Sequence, residues 1–551
     1  MVRAVSGRFA SSVPRLAQSL TRRRISGIAR GAAIIAGLTV LSRLLGLVRT
    51  LVFSQTVGAG CLGTAYITAF QVPNLIYELV LGGALTSAMV PVMARAAAAA
   101  DTDLSQRAQV SQITSALLTW SVLLLVPVTV GLAAASGAIA TVLNPANPHA
   151  NCGHGDMVSV TGDILLVFAP QVLLYGLSVV LFGVLQAYRR FTAPALAPMV
   201  SSVVLIGSYL LFVPLDGSAS LARTPSAAVL VLSAGATLGV LALVLVALPP
   251  MWRLRLRLRP AVRLPDGVGR RVGGLAAVGV AELIVIDVSN VVVIALANGR
   301  GDTGALVLFN YAYLVFNAVY AVLALSIVTS AFPVLSSADG AAFDRTCAGS
   351  TRVVVLLSWL GTAALAAIAV PAAHVLAKQP DQVPELTAGF LLFAPGVAGI
   401  AVVAQLSRAM FALGRLRIAL FALAGSWLLV IVFDVALGLL VPPRLLVGAL
   451  ALGTTLGQSL VAVPLCYATR QLRGPAVLHG IGHATVSGLV AASAAGAVGV
   501  GLSVAIPFHG KALAGLVAVL TALCAVVVYA AVAWVLDKGD LRGALARLTR
   551  T

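Results

Sequence analysis

Two arginines six residues apart, Arg43 and Arg49, stand inside an apolar run from Gly31 to Phe53. A charge at the centre of a bilayer costs about 2.5–3.5 kcal/mol on insertion scales, so residues in such positions need a partner or a role. Glu78, Asp163, Glu282, Asp287 and Asp434 interrupt stretches that are equally apolar, with Asn74 close to the first and Asn290 close to Asp287. Arginine's planar fork pairs phosphate oxygens two at a time. One reading therefore has Arg43 and Arg49, with Asn74 and Glu78, lining an aqueous cleft that receives an anionic substrate such as a phosphate. The competing reading has either arginine pair with Glu78, Glu282 or Asp287 and hold parts of the molecule together. Glu282, Asp287 and Asn290 suit two roles, an inter-lobe contact or coupling to a proton or sodium ion. Asp434 suits a structural partnership with a neighbouring helix.

Enzyme chemistry has little to stand on. There is no G-x-S-x-G, no phosphate-binding P-loop and no metal-ligand pair, which points to a protein that is not an enzyme and has no cofactor. The five cysteines (Cys61, Cys152, Cys347, Cys466, Cys524) are odd in number, scattered, and form no C-x-x-C pair. On that pattern we expect neither a disulfide framework nor a zinc site. His149-x-x-Cys152-x-His154 is the nearest approach to a ligand cluster, and it lacks a fourth ligand nearby.

The elements that must position these residues follow from composition. Of 551 residues, 60% are hydrophobic and only 10% are charged, against about 25% charged in an average globular chain. Lys and Arg number 36 against 17 Asp and Glu, giving +19. A polar surface for a soluble body of this size is missing, which excludes secreted enzymes, disordered chains and nucleic-acid binders. The composition implies an all-α polytopic membrane protein. At about 20 residues per crossing, fourteen spans can be drawn, beginning with 31–53 and 64–94. Even parity places both termini on one side. With that side inside the cell, 28 Lys/Arg fall in cytoplasmic segments and five (Arg223, Arg300, Lys378, Arg444, Lys511) in outer loops, a strong positive-inside bias. The densest basic segment reads Arg-Leu-Arg-Leu-Arg-Leu-Arg at 253–259, expected as a solvated loop facing anionic lipid headgroups, with a short interfacial strand as the alternative.

An internal repeat sets the organisation. Phe168-Ala169-Pro170 recurs as Phe393-Ala394-Pro395, and a basic residue follows each proline by twenty positions, Arg190 and Arg415. The offset of 225 residues equals six spans, so the halves share orientation, as in transporters built from parallel repeats. The expected plan is a basic cytoplasmic tail (1–30), a six-helix lobe (31–250), a basic inter-lobe loop (251–271), a second six-helix lobe (272–470), two further helices (471–536) and a cytoplasmic tail (537–551).

At span one the residues become more specific. Ser42-Arg43-Leu44-Leu45-Gly46-Leu47-Val48-Arg49, then Gly58-Ala59-Gly60, Ala69-Phe70-Gln71-Val72-Pro73-Asn74-Leu75, Gly83-Ala84 and Val90-Pro91-Val92 together resemble the MurJ/MviN family. The similarity resumes at Arg190-Phe191-Thr192-Ala193-Pro194 and at Phe411-Ala412-Leu413-Gly414-Arg415. That family flips lipid II, the undecaprenyl-diphosphate-linked peptidoglycan precursor, across the bacterial cytoplasmic membrane. The resemblance implies alternating access between two lobes, a cationic cavity with Arg43 and Arg49 for the diphosphate and sugar, and a groove of the last two spans for the lipid tail. It implies as partners lipid II or a related polyprenyl-diphosphate lipid, anionic lipids and cell-wall synthesis proteins, with transport driven by the membrane potential or a cation. The chain departs from the family where arginine is usual: Tyr77-Glu78 follows Pro73-Asn74-Leu75, and span eight reads Asn310-Tyr311-Ala312-Tyr313-Leu314. Thr64 and Gly82 replace acidic residues common there. The thinned cationic set leaves two alternatives: an exporter of another lipid-linked glycan or amphipathic compound, and a non-transporting relative that scaffolds cell-wall synthesis.

Overall fold

A computed structural model describes residues 37–38, 41–79, 93, 103–215, 221, 224–262, 268–507 and 509–536. In chain order these form helices α1 (41–56), α2 (Cys61–Glu78), α3 (Leu104–Ala134), α4 (Ser136–Leu143), α5 (His154–Ala187), α6 (Thr192–Phe212), α7 (Ser226–Trp252), α8 (Val268–Arg300), α9 (Ala305–Tyr320), α10 (Ser326–Ser337), α11 (Gly340–Leu376), α12 (Gln382–Phe393), α13 (Gly396–Ala412), α14 (Leu416–Leu440), α15 (Leu446–Arg473), α16 (Ile481–Ala505) and α17 (Lys511–Leu536). Among the described residues, twelve helical segments are long and apolar enough to cross a membrane. Helices prevail because apolar surroundings offer no water to unpaired backbone groups, so each segment must satisfy its own N–H and C=O. The tails expected at 1–30 and 537–551, and most of the far half of span two, lie outside the described residues.

The helices pack in two groups. In the first, α5 runs through the middle and touches α2, α3 and α7, while α6 packs along α7. In the second, α15 packs against α12, α13 and α14, and α14 packs along α8. The last two helices, α16 and α17, lie on α11. Small residues set that contact: Gly499 sits on Ala367, Gly488 on Trp359, and Ala363, Ala491 and Ala495 are fully buried. Where lipid tails are as apolar as leucine, such close backbone approach is what holds helices together. The principal packing between the groups is α2 and α4 against α8 and α9.

The repeat has a structural counterpart. Thr237 Oγ1 donates to the Val167 carbonyl at 2.9 Å, and Thr455 Oγ1 donates to the Leu392 carbonyl at 2.6 Å. These carbonyls are 225 residues apart, each three residues before one of the repeated prolines, where a ring without N–H disturbs the helical ladder. Both helices then end alike. A positive-φ residue, Arg189 or Gly414, precedes a basic residue whose N–H reaches back five positions, Arg190 to Leu185 O and Arg415 to Met410 O.

The 253–262 segment forms no strand. It lies along α3, where Arg107 donates to the Leu254 carbonyl (2.8 Å) and Trp120 to Val262 (3.0 Å), while Arg259 and Ala261 donate backbone N–H groups to Ser115 and Thr119. Strapping to a helix side consumes the hydrogen bonds that a strand would need.

Candidate functional site

Arg49 lines a cavity between the two helix groups. The cavity, about 140 Å³, is walled by Arg49 of α1, Tyr66 and Gln71 of α2, Tyr209 of α6, and Asn310 and Tyr311 of α9. Arg49 and Phe53, one turn apart on α1, both face it, as do Tyr66 and Phe70 on α2, whose rings stack at 6.0 Å. The Tyr66 and Tyr209 hydroxyls share a hydrogen bond of 3.3 Å, and Phe53 packs on both rings at 5.4 and 5.2 Å. Across the cavity, Gln71 Nε2 donates to Asn310 Oδ1 at 3.1 Å, joining the two groups. Beside it lies a second, apolar cavity of about 200 Å³ whose wall includes Leu47, Leu51, Val315, Val375 and Ala518. Thr50, Tyr311 and Leu314 line both.

The remaining expected site residues are spread more widely. Arg43 and Glu78 are exposed, away from the cavity. Asn74 accepts the Tyr175 hydroxyl at 3.2 Å, and the Tyr175 ring lies 4.3 Å from that of Tyr77. Glu282 and Asn290 are half-buried. Asp287 is buried, with neither carboxylate oxygen hydrogen-bonded, and lies within electrostatic reach of Glu78. Among the described residues no ion pair joins Arg43 or Arg49 to Glu78, Glu282 or Asp287. Asp434 is fully buried against Gly453 of α15, also without a hydrogen-bond partner.

The expectation about cysteines is overturned. Cys61 at the start of α2 and Cys152 before α5 form a disulfide. With its sulfur in that bond, Cys152 offers no thiolate, so the His149–Cys152–His154 metal reading fails as well. Spacing hid the pair because the two residues are 91 positions apart and meet only where helix ends converge.

The disulfide marks one end of the interface between the groups, and that end is latched. Asn147 Nδ2 donates to the carbonyls of Asn298 (2.9 Å) and Gly301 (2.8 Å), and the Asn151 N–H donates to Thr303 Oγ1 at 2.9 Å. Asn298 Nδ2 reaches back to Thr68 Oγ1 and the Leu143 carbonyl, both at 2.9 Å. Gln382 donates to the Ala59 carbonyl (2.9 Å), Lys378 to Thr56 (2.6 Å) and Gln55 to Val375 (2.9 Å). Gly304, at φ +90°, lets its backbone sit directly on the Ala59 carbonyl, where any Cβ would collide. At the opposite, basic end, hydrogen bonds stay within one group, as in the Arg473–Asp344 ion pair at 2.9 Å. No hydrogen bond among the described residues joins the groups there. The latch residues Asn147, Asn298 and Gln382, and the cavity residues Gln71, Asn310 and Tyr311, escaped the reading of charges. Their signal was uncharged amides and a phenol in apolar runs.

Comparison with known proteins places this geometry. A family model described as lipid II flippase MurJ matches residues 53–527. The lipid II flippase MurJ of Burkholderia cenocepacia is 28% identical over 185 residues, 34% of this chain and 34% of that protein. The aligned stretch thus spans about a third of that relative's length. Among solved structures, a lipid II flippase MurJ in an inward closed conformation matches with TM-score 0.71 at 15% identity, over 91% of this chain and 99% of that one. An inward-facing MATE family multidrug transporter of the MOP superfamily matches with TM-score 0.63 at 12% identity, over 79% and 95%. At these identities the structural likeness speaks for the fold.

Proposed function

The chain belongs to the MurJ lipid II flippase family, a multi-pass membrane protein, and we propose that it carries a polyprenyl-diphosphate-linked peptidoglycan precursor from the cytoplasmic to the outer leaflet by alternating access. The two helix groups are the moving lobes, 31–250 and 272–470. The observation that carries this reading is the pair of adjoining cavities: a polar one holding Arg49 and an apolar one sharing Thr50, Tyr311 and Leu314 with it. A lipid with an anionic headgroup has that same division.

Both termini lie in the cytoplasm. Two independent features support this orientation, the 28-to-five division of Lys/Arg and the placement of the disulfide at the end with few cations, since disulfides persist on the oxidising side of a membrane. The latched end then faces outward. The basic end meets anionic lipid headgroups, and cell-wall synthesis proteins are its expected company. An inside-negative potential favours export of an anion by about 2.3 kcal/mol per charge per 100 mV. Asp287, buried with free carboxylate oxygens near Glu78, is our candidate for ion coupling, with Glu282 and Asn290 on the same helix.

Arg49→Ala tests the reading. In vesicles loaded with lipid II, we expect translocation to fall at least tenfold, since hydrogen bonds to charged groups are worth about 1.5–3 kcal/mol. Unchanged translocation would leave Arg49 a structural residue, and depletion in the native bacterium with normal lipid II export would sink the essential role.

A further inference from the structure

Tyr311 is 3% exposed, yet its hydroxyl is buried without a hydrogen-bond partner. Other buried tyrosines in the protein spend theirs: Tyr66 and Tyr209 on each other, Tyr175 on Asn74, Tyr529 on the Leu356 carbonyl. A buried phenol left unsatisfied is uncommon, because the group loses water and gains nothing. Tyr311 lines the Arg49 cavity, where among the described residues no carboxylate pairs with the guanidinium, so an acceptor for both donors is what the site lacks. Tyr311 also belongs to the wall shared with the apolar cavity. An amphiphile seated across both would place the group linking headgroup to tail at this wall.

We propose that the Tyr311 hydroxyl is the second lobe's contact for the substrate's anionic linker, a diphosphate, which it grips from α9 while Arg49 grips it from α1. This rests on the flippase reading and specifies it. A ligand held from both sides bridges the lobes beside the Gln71–Asn310 bond, so occupancy and lobe position are linked at one place. An oxyanion is also a better acceptor for Gln71 Nε2 than the neutral Asn310 amide, so binding competes with that bond.

Tyr311→Phe removes the hydroxyl and keeps the ring packed at 6.5 Å from Phe53. The experiment compares lipid II binding to detergent-solubilised full-length wild type, Tyr311→Phe and Arg49→Ala, with melting temperature measured alongside. We expect Tyr311→Phe to bind about tenfold more weakly while melting at the same or a higher temperature, because an unsatisfied buried hydroxyl is gone. A purely structural hydroxyl would do the reverse, lowering the melting temperature and sparing affinity, and that result overturns the proposal. Wild-type affinity in Tyr311→Phe with weakened Arg49→Ala also overturns it while sustaining the flippase reading. No lipid II binding by the wild type overturns both.

Discussion

The two ends of the lobe interface are built from different materials. The disulfide end is closed by side-chain amides and a lysine reaching backbone carbonyls across the interface, reinforced by the Gly304–Ala59 contact. The basic end carries most of the cationic charge, but its described bonds tie each lobe to itself. Charge is therefore concentrated where the lobes do not meet, and hydrogen bonds, most of them from neutral amides, join the lobes at the other end. This suits a switch. Each amide–carbonyl bond contributes about 0.5–1.5 kcal/mol net, so the set amounts to several kcal/mol. Inverting a two-state population from 1:99 to 99:1 takes about 5.5 kcal/mol. A latch of this kind is strong enough to close one end and weak enough for a bound ligand to open it.

The severest way to break the comparison is to make the latch permanent. A Cβ on Gly299 would stand 3.7 Å from Pro145 Cβ, across the interface, within the spacing of about 3.5–4.5 Å that a disulfide requires. In the Pro145→Cys, Gly299→Cys double variant, oxidation should reduce translocation to the background of empty vesicles. Reduction should restore it to the level of wild type treated with the same reductant. Transport by the fully cross-linked protein would show that the disulfide end need not open.

Helical class and the repeat were legible because they depend on residue types that sum along the chain. The two Phe-Ala-Pro motifs set matching prolines 225 residues apart, and Thr237 and Thr455 each donate to the carbonyl three residues before one of them. Arg49 was legible for a similar reason, since a charge in an apolar run announces its cost. The latch was not. Asn147 and Asn298 cost less to bury than a charge, so they raise no alarm until Asn147 is seen to meet a carbonyl 154 residues away. The Cys61–Cys152 pair failed to show because five cysteines look unpaired when spacing alone is read, while pairing is decided by which helix ends meet. The reading of 253–259 as solvated or strand missed α3 as a third partner, whose Ser115 and Thr119 hydroxyls offered acceptors on one face.

A milder change should loosen the same end. Asn147→Ala removes two donations, one to the last turn of α8 and one to Gly301 just after it, costing about 1–3 kcal/mol if the carbonyls stay buried. Amide hydrogen exchange over 297–307 should then speed roughly tenfold, with exchange at the basic end unchanged. Equal acceleration at both ends would mean that the lobes do not separate as a two-ended lever.

The smallest effect is expected from Cys61→Ser with Cys152→Ser. The disulfide joins two parts of one lobe, α2 and the segment that carries Asn147 and Asn151. It braces the latch without crossing the interface. Chain-entropy estimates of about 2–4 kcal/mol for a disulfide assume an unfolded chain free in water. Here the intervening residues include α3 and α4, which a membrane already confines, so the loss should be a fraction of that and should appear as faster exchange over 144–153. Transport should continue, because the amides that span the interface remain. If the double serine variant instead disturbs 297–307 as strongly as Asn147→Ala, the covalent brace, and not the amide set, holds the disulfide end, and reduction of one bond would be enough to open it.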